Sequence, residues 1–325
     1  MITVHRNCLQ AERKTAHMTE KIGNVSLVLD DYPGRDIYSD GEIEDELLEI
    51  AKTTAPDQFD RVVAEKKNWA VMYHFSTIRT NILSWYPFKK TDSVLEIGSG
   101  CGAITGAVAE KAGHVTCVDL SKKRSMVNAY RNRDRDNVEI LLGNFQDVEK
   151  KLPASYDYIT LIGVFEYGRG YISSDTPYLD FLKIIRRHLK PGGKILLAIE
   201  NRLGMKYWAG CTEDHSGVLF EGIEGYPDND RVRTFSKPEL EKIMHLAGFE
   251  SWKFYYPYPD YKFPMAIYSD EYLPKKGDIR GNVLNFDRAR VNLFDESKAI
   301  DAMVDDGLFP LYSNSFLVVI DGGRT

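Results

Sequence analysis

The chain has 325 residues and a net charge of −6, with 43% hydrophobic and 28% charged residues. That is the make-up of a globular protein longer than one typical domain, and the negative balance argues against nucleic acid or an anionic membrane as main partner. No apolar run reaches the roughly 20 residues of a spanning helix, and the first residues hold no signal-peptide core.

The scattered cysteines Cys8, Cys101, Cys117 and Cys211 read as reduced thiols, not a metal site or disulfide frame. A cytoplasmic protein is expected. Residues 1–37 are hard to assign beyond a short strand at 25–29 and a turn at Tyr32-Pro33-Gly34. Ser39-Asp40-Gly41-Glu42 opens a helix bearing Ile43, Leu47, Ile50 and Ala51 at helical spacing. A second helix is predicted over about 56–86. Its Val71, Phe75, Ile78, Ile82 and Trp85 recur three or four apart, and Pro87 stops it. Residues 1–90 thus read as a helical lid region, with Tyr73, His74 and Arg79 as polar candidates for reaching a ligand. Residues 91–325 read as one domain.

From Thr91 strands and helices alternate, which predicts an α/β, doubly wound, Rossmann-like sheet of seven strands. The predicted strands are 93–97, 114–119, 138–142, 156–163, 194–200, 249–256 and 313–320. Helices are predicted after Ser121, over 177–189, and over 238–247 behind a capping box at Ser236 and Glu239. Insertions at about 201–234 and 257–312 interrupt the scheme, the second holding a helix near 295–306. Insertions of that length usually carry function or structure of their own.

The organising stretch is Leu95-Glu96-Ile97-Gly98-Ser99-Gly100-Cys101-Gly102-Ala103. A buried strand, a glycine turn and a helix N-terminus make a cradle in which backbone can approach a ligand. Gly98-x-Gly100-x-x-Ala103 fits the dinucleotide pattern, so a nicotinamide-dependent oxidoreductase is one reading. Glu96 at the strand tip would repel a pyrophosphate, however, and Gly102 adds a third alternate glycine. Asp119 ends the next strand roughly twenty residues on, where a ribose diol needs an acceptor.

The stretch resembles the class I methyltransferases that use S-adenosylmethionine (SAM). Glu96, Gly98, Gly100 and Gly102 match every position of their E/D-x-G-x-G-x-G motif, and the resemblance covers about residues 91–256. It implies an antiparallel last strand. It also implies that Gly98, Ser99 and Gly100 pass the methionyl part and that Asp119 and Leu120 meet the ribose. Asn144, Phe145 and Gln146 would lie at the adenine. Gly163, Val164, Phe165, Glu166 and Tyr167 would face the methionine end and the acceptor, with Tyr73 reaching the cofactor from the N-terminal region.

Methyl transfer is an in-line displacement from a sulfonium, so alignment and a dry site suffice and no metal is required. A hydroxyl acceptor must lose a proton to a base, whereas a carboxylate needs only positioning. The first insertion offers Asn201, Arg202, Lys206, Tyr207 and Arg233 as acceptor contacts. His215, beside Glu213 and Asp214, is the candidate general base, with Glu166 and Tyr167 as further catalytic candidates. Tyr255, Tyr256, Tyr258, Tyr261 and Phe263 either wall an acceptor groove or fill core.

The Asn-Arg-Leu-Gly-x-Lys-Tyr and Glu-Asp-His stretches, with Tyr32-Pro-Gly and Tyr38-Ser-Asp-Gly, are similar to a bacterial methyltransferase subgroup. That subgroup is linked to surface-polysaccharide clusters and to tailoring of ribosomally made peptides, including lanthipeptides. The resemblance implies O-methylation of a peptide C-terminal carboxylate, or else of a glycan hydroxyl. A module that holds SAM without turnover also fits the glycine turn.

Overall fold

The computed structural model describes residues 18–36, 39, 41–229, 231–285 and 288–323. Tyr38, Asp40 and Cys8 lie outside these residues. Strands β1 (Thr19–Ile22), β2 (Val25–Val28), β3 (Ser93–Ile97), β4 (His114–Asp119), β5 (Val138–Leu142), β6 (Tyr156–Ile162), β7 (Leu189–Glu200), β8 (Trp252–Tyr258), β9 (Ala266–Ser269) and β10 (Ser315–Asp321) form one sheet. Their order is β1-β2-β5-β4-β3-β6-β7-β10-β8-β9.

The stretch from β2 to β7 is parallel, and β10 runs antiparallel between β7 and β8. The order reverses at β3, so β3 and its neighbours β4 and β6 end at the switch point where open α/β sheets bind ligands. The doubly wound reading and the antiparallel last strand hold, but the sheet has ten strands, not seven. A hairpin (β1, β2) pairs onto β5, and β9 extends the far edge. Of these, β2 is the short strand expected at 25–29; β1 and β9 span four residues each, too few for a clear period-two signal.

Alternate strand residues feed two cores. Leu95, Ile97, Ile159, Leu161, Ile195 and Leu197 face one side with Phe181, Leu182 and Ile185 of α6 (Pro177–Arg186). The same core takes Leu240 and Met244 of α7 (Lys237–Leu246) and Ile300 of α8 (Glu296–Asp305). Val94, Val115, Ile140, Leu196 and Ala198 face the other side, with Val108 of α4 (Thr105–Lys111) and Ala129 of α5 (Lys122–Arg131). Both faces are covered, which is why these strands read as continuous apolar runs.

A third cluster joins α1 (Ile43–Thr53), α2 (Phe59–Lys66) and α3 (Trp69–Phe75) through Leu47, Ile50, Phe59, Val71 and Phe75. It closes on Cys101 of the glycine turn and Val127 of α5.

The single helix expected over 56–86 is broken. Lys67 ends α2 in the left-handed conformation (φ 49°), and the Asn68 side chain caps α3 by accepting from the Ala70 and Val71 N–H groups. Extended Ser76 then starts a separate 3₁₀ turn, Thr77–Ile82. The apolar spacing does not mark one buried face: Val71 and Phe75 enter one cluster and Ile82 another, while Ile78 and Trp85 are exposed; the cap residues Asn68 and Ser76 were the signal for the breaks. Strand β7 also begins earlier than expected, at Leu189 opposite Tyr156; the register then jumps to Tyr158 opposite Lys194, so residues 190–193 bulge out of the pairing with β6.

Residues 32–36 cross from the hairpin to α5. Asp36 accepts there from the Lys122 and Lys123 N–H groups at 2.6 and 3.1 Å and from Ser121 Oγ at 3.1 Å.

Candidate active site

The chain leaves β3 with positive φ at Gly98 (70°), Gly100 (52°) and Gly102 (72°). Two of these positions have no room for a side chain: a Cβ on Gly98 would meet Val164 Cγ2 at 2.5 Å, and one on Gly102 would meet Asn128 Oδ1 at 2.2 Å. Gly100 differs, because a Cβ there would have nothing within 4 Å; its open side is space for a ligand.

Asp119 ties this turn to the end of β4. Its Oδ2 accepts from the Gly100 N–H at 2.7 Å and its Oδ1 from the Ser121 N–H at 2.9 Å. Burial raises its pKa against those two hydrogen bonds. Each oxygen keeps a lone pair for a hydroxyl.

A cavity of about 850 Å³ opens from this point, within the range of small-molecule sites. Gly98, Gly100, Asp119 and Leu120 line one end. Gly163, Val164, Trp69 and Tyr73 line its walls, and Glu166, Tyr167, Lys206, Asp214, His215 and Lys262 the other end. Tyr73 is held by the Arg79 guanidinium, 4.0 Å from its ring centroid.

The far end is a network of buried charges. His215 Nδ1 lies 2.9 Å from Glu213 Oε1, and Glu213 Oε2 accepts from the His215 and Ser216 N–H groups at 2.7 Å each. His215 Nε2 is 3.8 Å from Glu166 Oε1. Burial works to lower the His215 pKa, but Glu166 and Glu213 outweigh it and hold the ring well above the ordinary histidine range. With both nitrogens facing carboxylates, the ring is placed to donate protons, which argues against the expected general base. Glu166 is raised by burial in spite of His215.

Lys206 pairs with Asp214 at 2.9 Å and Asp260 at 3.4 Å. Lys262 pairs with Asp214 at 2.9 Å and with Glu200. Tyr207 donates to Asp214 from behind. One ligand-type atom from each of Glu166, Glu200 and His215 lies within 4.8 Å of the other two.

Several expected site residues sit elsewhere. Glu96 turns beneath the glycines, accepting from Thr105 Oγ1 at 2.7 Å, and burial pushes its pKa up to about 7. Ser99 is buried with no partner for its hydroxyl. Asn144 caps the single helical turn Phe145–Val148 through the Gln146 N–H at 3.0 Å, and Phe145 packs on Phe181 at 5.4 Å. None of Glu96, Ser99, Asn144, Phe145 and Gln146 lines the cavity. Phe165 is core, between Phe181 and Phe235.

Among the expected acceptor contacts, only Lys206 lines the cavity. Arg202 and Arg233 both bind Glu239, at 2.6 and 2.9 Å, securing the start of α7. Asn201 holds the Leu311 and Ser313 carbonyls at 2.8 Å. Tyr256 and Tyr261 are buried among core side chains, and Tyr261 also lines the cavity.

Glu200, Asp260, Lys262 and Trp69 were not anticipated. Glu200 had a signal: it is an acid at the carboxyl end of a core strand, as Glu96 and Asp119 are.

Residues 95–195 match a family model described as a methyltransferase domain. Residues 95–195 thus carry a methyltransferase domain, with SAM as its cofactor in place of a nicotinamide dinucleotide. Over 87 residues it is 37% identical to (S)-coclaurine N-methyltransferase of Thalictrum flavum subsp. glaucum, covering 26% of this chain and 24% of that protein. Over 162 residues it is 32% identical to the ubiquinone biosynthesis O-methyltransferase of Idiomarina loihiensis, covering 48% and 61%. Over 106 residues it is 30% identical to the cypemycin N-terminal methyltransferase of a Streptomyces species, covering 32% and 40%. The matches thus span less than two thirds of each of these relatives. No helix among the described residues is long and apolar enough to cross a membrane.

Proposed function

We propose that the chain moves the methyl group of SAM to an oxygen of an acceptor that enters at the Glu166–His215 end of the cavity. The observation that carries this reading is the continuity of one cavity from the Gly98–Gly100–Asp119 cradle to the buried charge network. The open side of Gly100 and the spare lone pairs of Asp119 suit an adenosyl ligand. When bound, SAM supplies a methyl group already activated on a sulfonium.

The chain's own work is alignment, exclusion of water and proton handling. The carboxylates of Glu166, Glu200, Glu213, Asp214 and Asp260 outnumber the cations Lys206, Lys262 and His215 at the acceptor end. An incoming carboxylate would meet that excess, whereas a hydroxyl can donate into it. Glu166 lines the cavity and its Oε2 has no hydrogen-bond partner, so it is the carboxylate available to the hydroxyl proton. The acceptor O–CH₃ bond forms, the S–CH₃ bond breaks, and the proton passes to Glu166. A glycan hydroxyl fits this reading.

A second reading, esterification of a peptide C-terminal carboxylate as in lanthipeptide tailoring, is favoured by the His215, Lys206 and Lys262 cations at the same end.

The test is incubation with SAM and glycan or peptide acceptors, read by mass spectrometry. A gain of one methyl that survives mild alkali supports the hydroxyl, and an alkali-labile gain the carboxylate. Methylation on nitrogen alone, or no S-adenosylhomocysteine (SAH) formed with any oxygen acceptor, overturns both.

A further inference from the structure

We propose that Glu166, Glu200 and His215 form a binding site for a divalent cation of the magnesium or manganese type. Glu166 follows β6, Glu200 is the last residue of β7, and His215 comes from the insertion beyond it. Three separate segments thus bring one donor atom each to within 4.8 Å of the others. That spread suits ligands on opposite or adjacent corners of one hard cation, whose ligands lie at roughly 2.0–2.6 Å.

Each of the two acids keeps an open donor atom. Glu166 and Glu200 are 1% and 0% exposed, and the Oε2 atom of each has no hydrogen-bond partner. A buried carboxylate oxygen without a partner is costly, and a cation between the two offsets that cost.

His215 has the support of a metal ligand once a cation displaces the proton on the Nε2 that faces Glu166. Glu213 holds Nδ1 at 2.9 Å and is itself fixed by two backbone N–H groups, which leaves Nε2 toward the acids. A carboxylate behind the far nitrogen is the usual support of a ligating histidine. Lys262 engages Glu200 through Oε1, not Oε2, and is itself held by Asp214 at 2.9 Å. It orients Glu200 without filling the gap.

Two carboxylate oxygens and one imidazole nitrogen form a hard donor set, which selects magnesium or manganese over metals that prefer thiolates. Glu166 and His215 also line the cavity, so the remaining coordination positions are open to water and to the acceptor's oxygen. A hydroxyl on such a cation ionises more readily, so with the cation bound its proton can leave to solvent while Glu166 stays a ligand. The inference rests on the proposed reading only in placing the acceptor at this end; cation binding itself does not depend on it.

The test titrates the full-length chain with Mn²⁺ by calorimetry and follows free Mn²⁺ by electron paramagnetic resonance. SAH is titrated in parallel. One Mn²⁺ per chain is expected. Glu200→Gln should weaken it at least tenfold, and Glu213→Gln by about ten- to a hundredfold through loss of histidine support. Both variants should keep their SAH affinity, since that ligand's cradle is at the other end. If Glu200→Gln does not fold, Glu213→Gln decides. SAH binding without stoichiometric Mn²⁺ uptake, or Mn²⁺ binding that neither substitution weakens, overturns the cation site and leaves the methyl-transfer reading standing. Mn²⁺ uptake without any SAH binding supports the site and overturns that reading.

Discussion

The Gly100 N–H donates to Asp119 Oδ2 at 2.7 Å, so the acid at the tip of β4 holds in place the very turn beside which a ligand would lie. One carboxylate therefore has two tasks, shaping the cradle and meeting a ribose. Asp119→Ala removes both. Hydrogen bonds to a charged group contribute about 1.5–3 kcal/mol each, so SAH affinity should fall at least tenfold by calorimetry, with a lower melting temperature.

The alternate glycines separate stability from binding. Gly102→Ala drives a methyl onto Asn128 Oδ1, which also accepts from Asn132 Nδ2 at 2.8 Å. It should destabilise the fold by about 1–3 kcal/mol, seen in denaturant unfolding. Gly100→Ala meets no protein atom within 4 Å, so it should lose less stability than Gly102→Ala while losing most SAH binding.

Lys206 is buried between Asp214 and Asp260. Lys206→Met leaves both acids in place with one cation fewer. Breaking a buried pair from one side costs about 3–5 kcal/mol, so a urea midpoint far below that of the parent protein is expected. An unchanged midpoint would mean that Lys262 alone balances the cluster.

Asp36 sits at the N-terminus of α5. Burial pushes its pKa up, but the Lys122 and Lys123 N–H groups, with Tyr32 and Ser121, bring it below the ordinary aspartate value. The folded pKa is the depressed one, so the stabilisation is fully present above the unfolded pKa of about 3.9 and is lost as pH falls through the folded value. Asp36→Asn should therefore melt lower than the parent at neutral pH, and the gap should close in acid. Melting curves across pH check this.

What was legible in the sequence was local. The glycine turn, Asp119 and the strand alternation are written in neighbouring residues, and the structure keeps them. The capping box at Ser236 and Glu239 was legible too. That Arg202 and Arg233 would be drawn to Glu239, and so away from an acceptor, was not, because those contacts cross the first insertion. Asn144 and Phe145 show the same limit: a cap and an aromatic pair take them. The charge network at the acceptor end combines Glu166, Glu200, Asp214, His215, Asp260 and Lys262 from separate segments. No spacing rule links a strand end to a loop some sixty residues later, as Lys262 is to Glu200.

The hairpin that extends the sheet past β5 changes how the molecule can meet its own copies. Among the described residues the outermost strands are β1 and β9, each four residues long, and β1 displays Glu20 and Lys21 to solvent. Margins this short and charged offer little purchase for a foreign strand. The long, oily centre of the sheet is thereby shielded from templated aggregation.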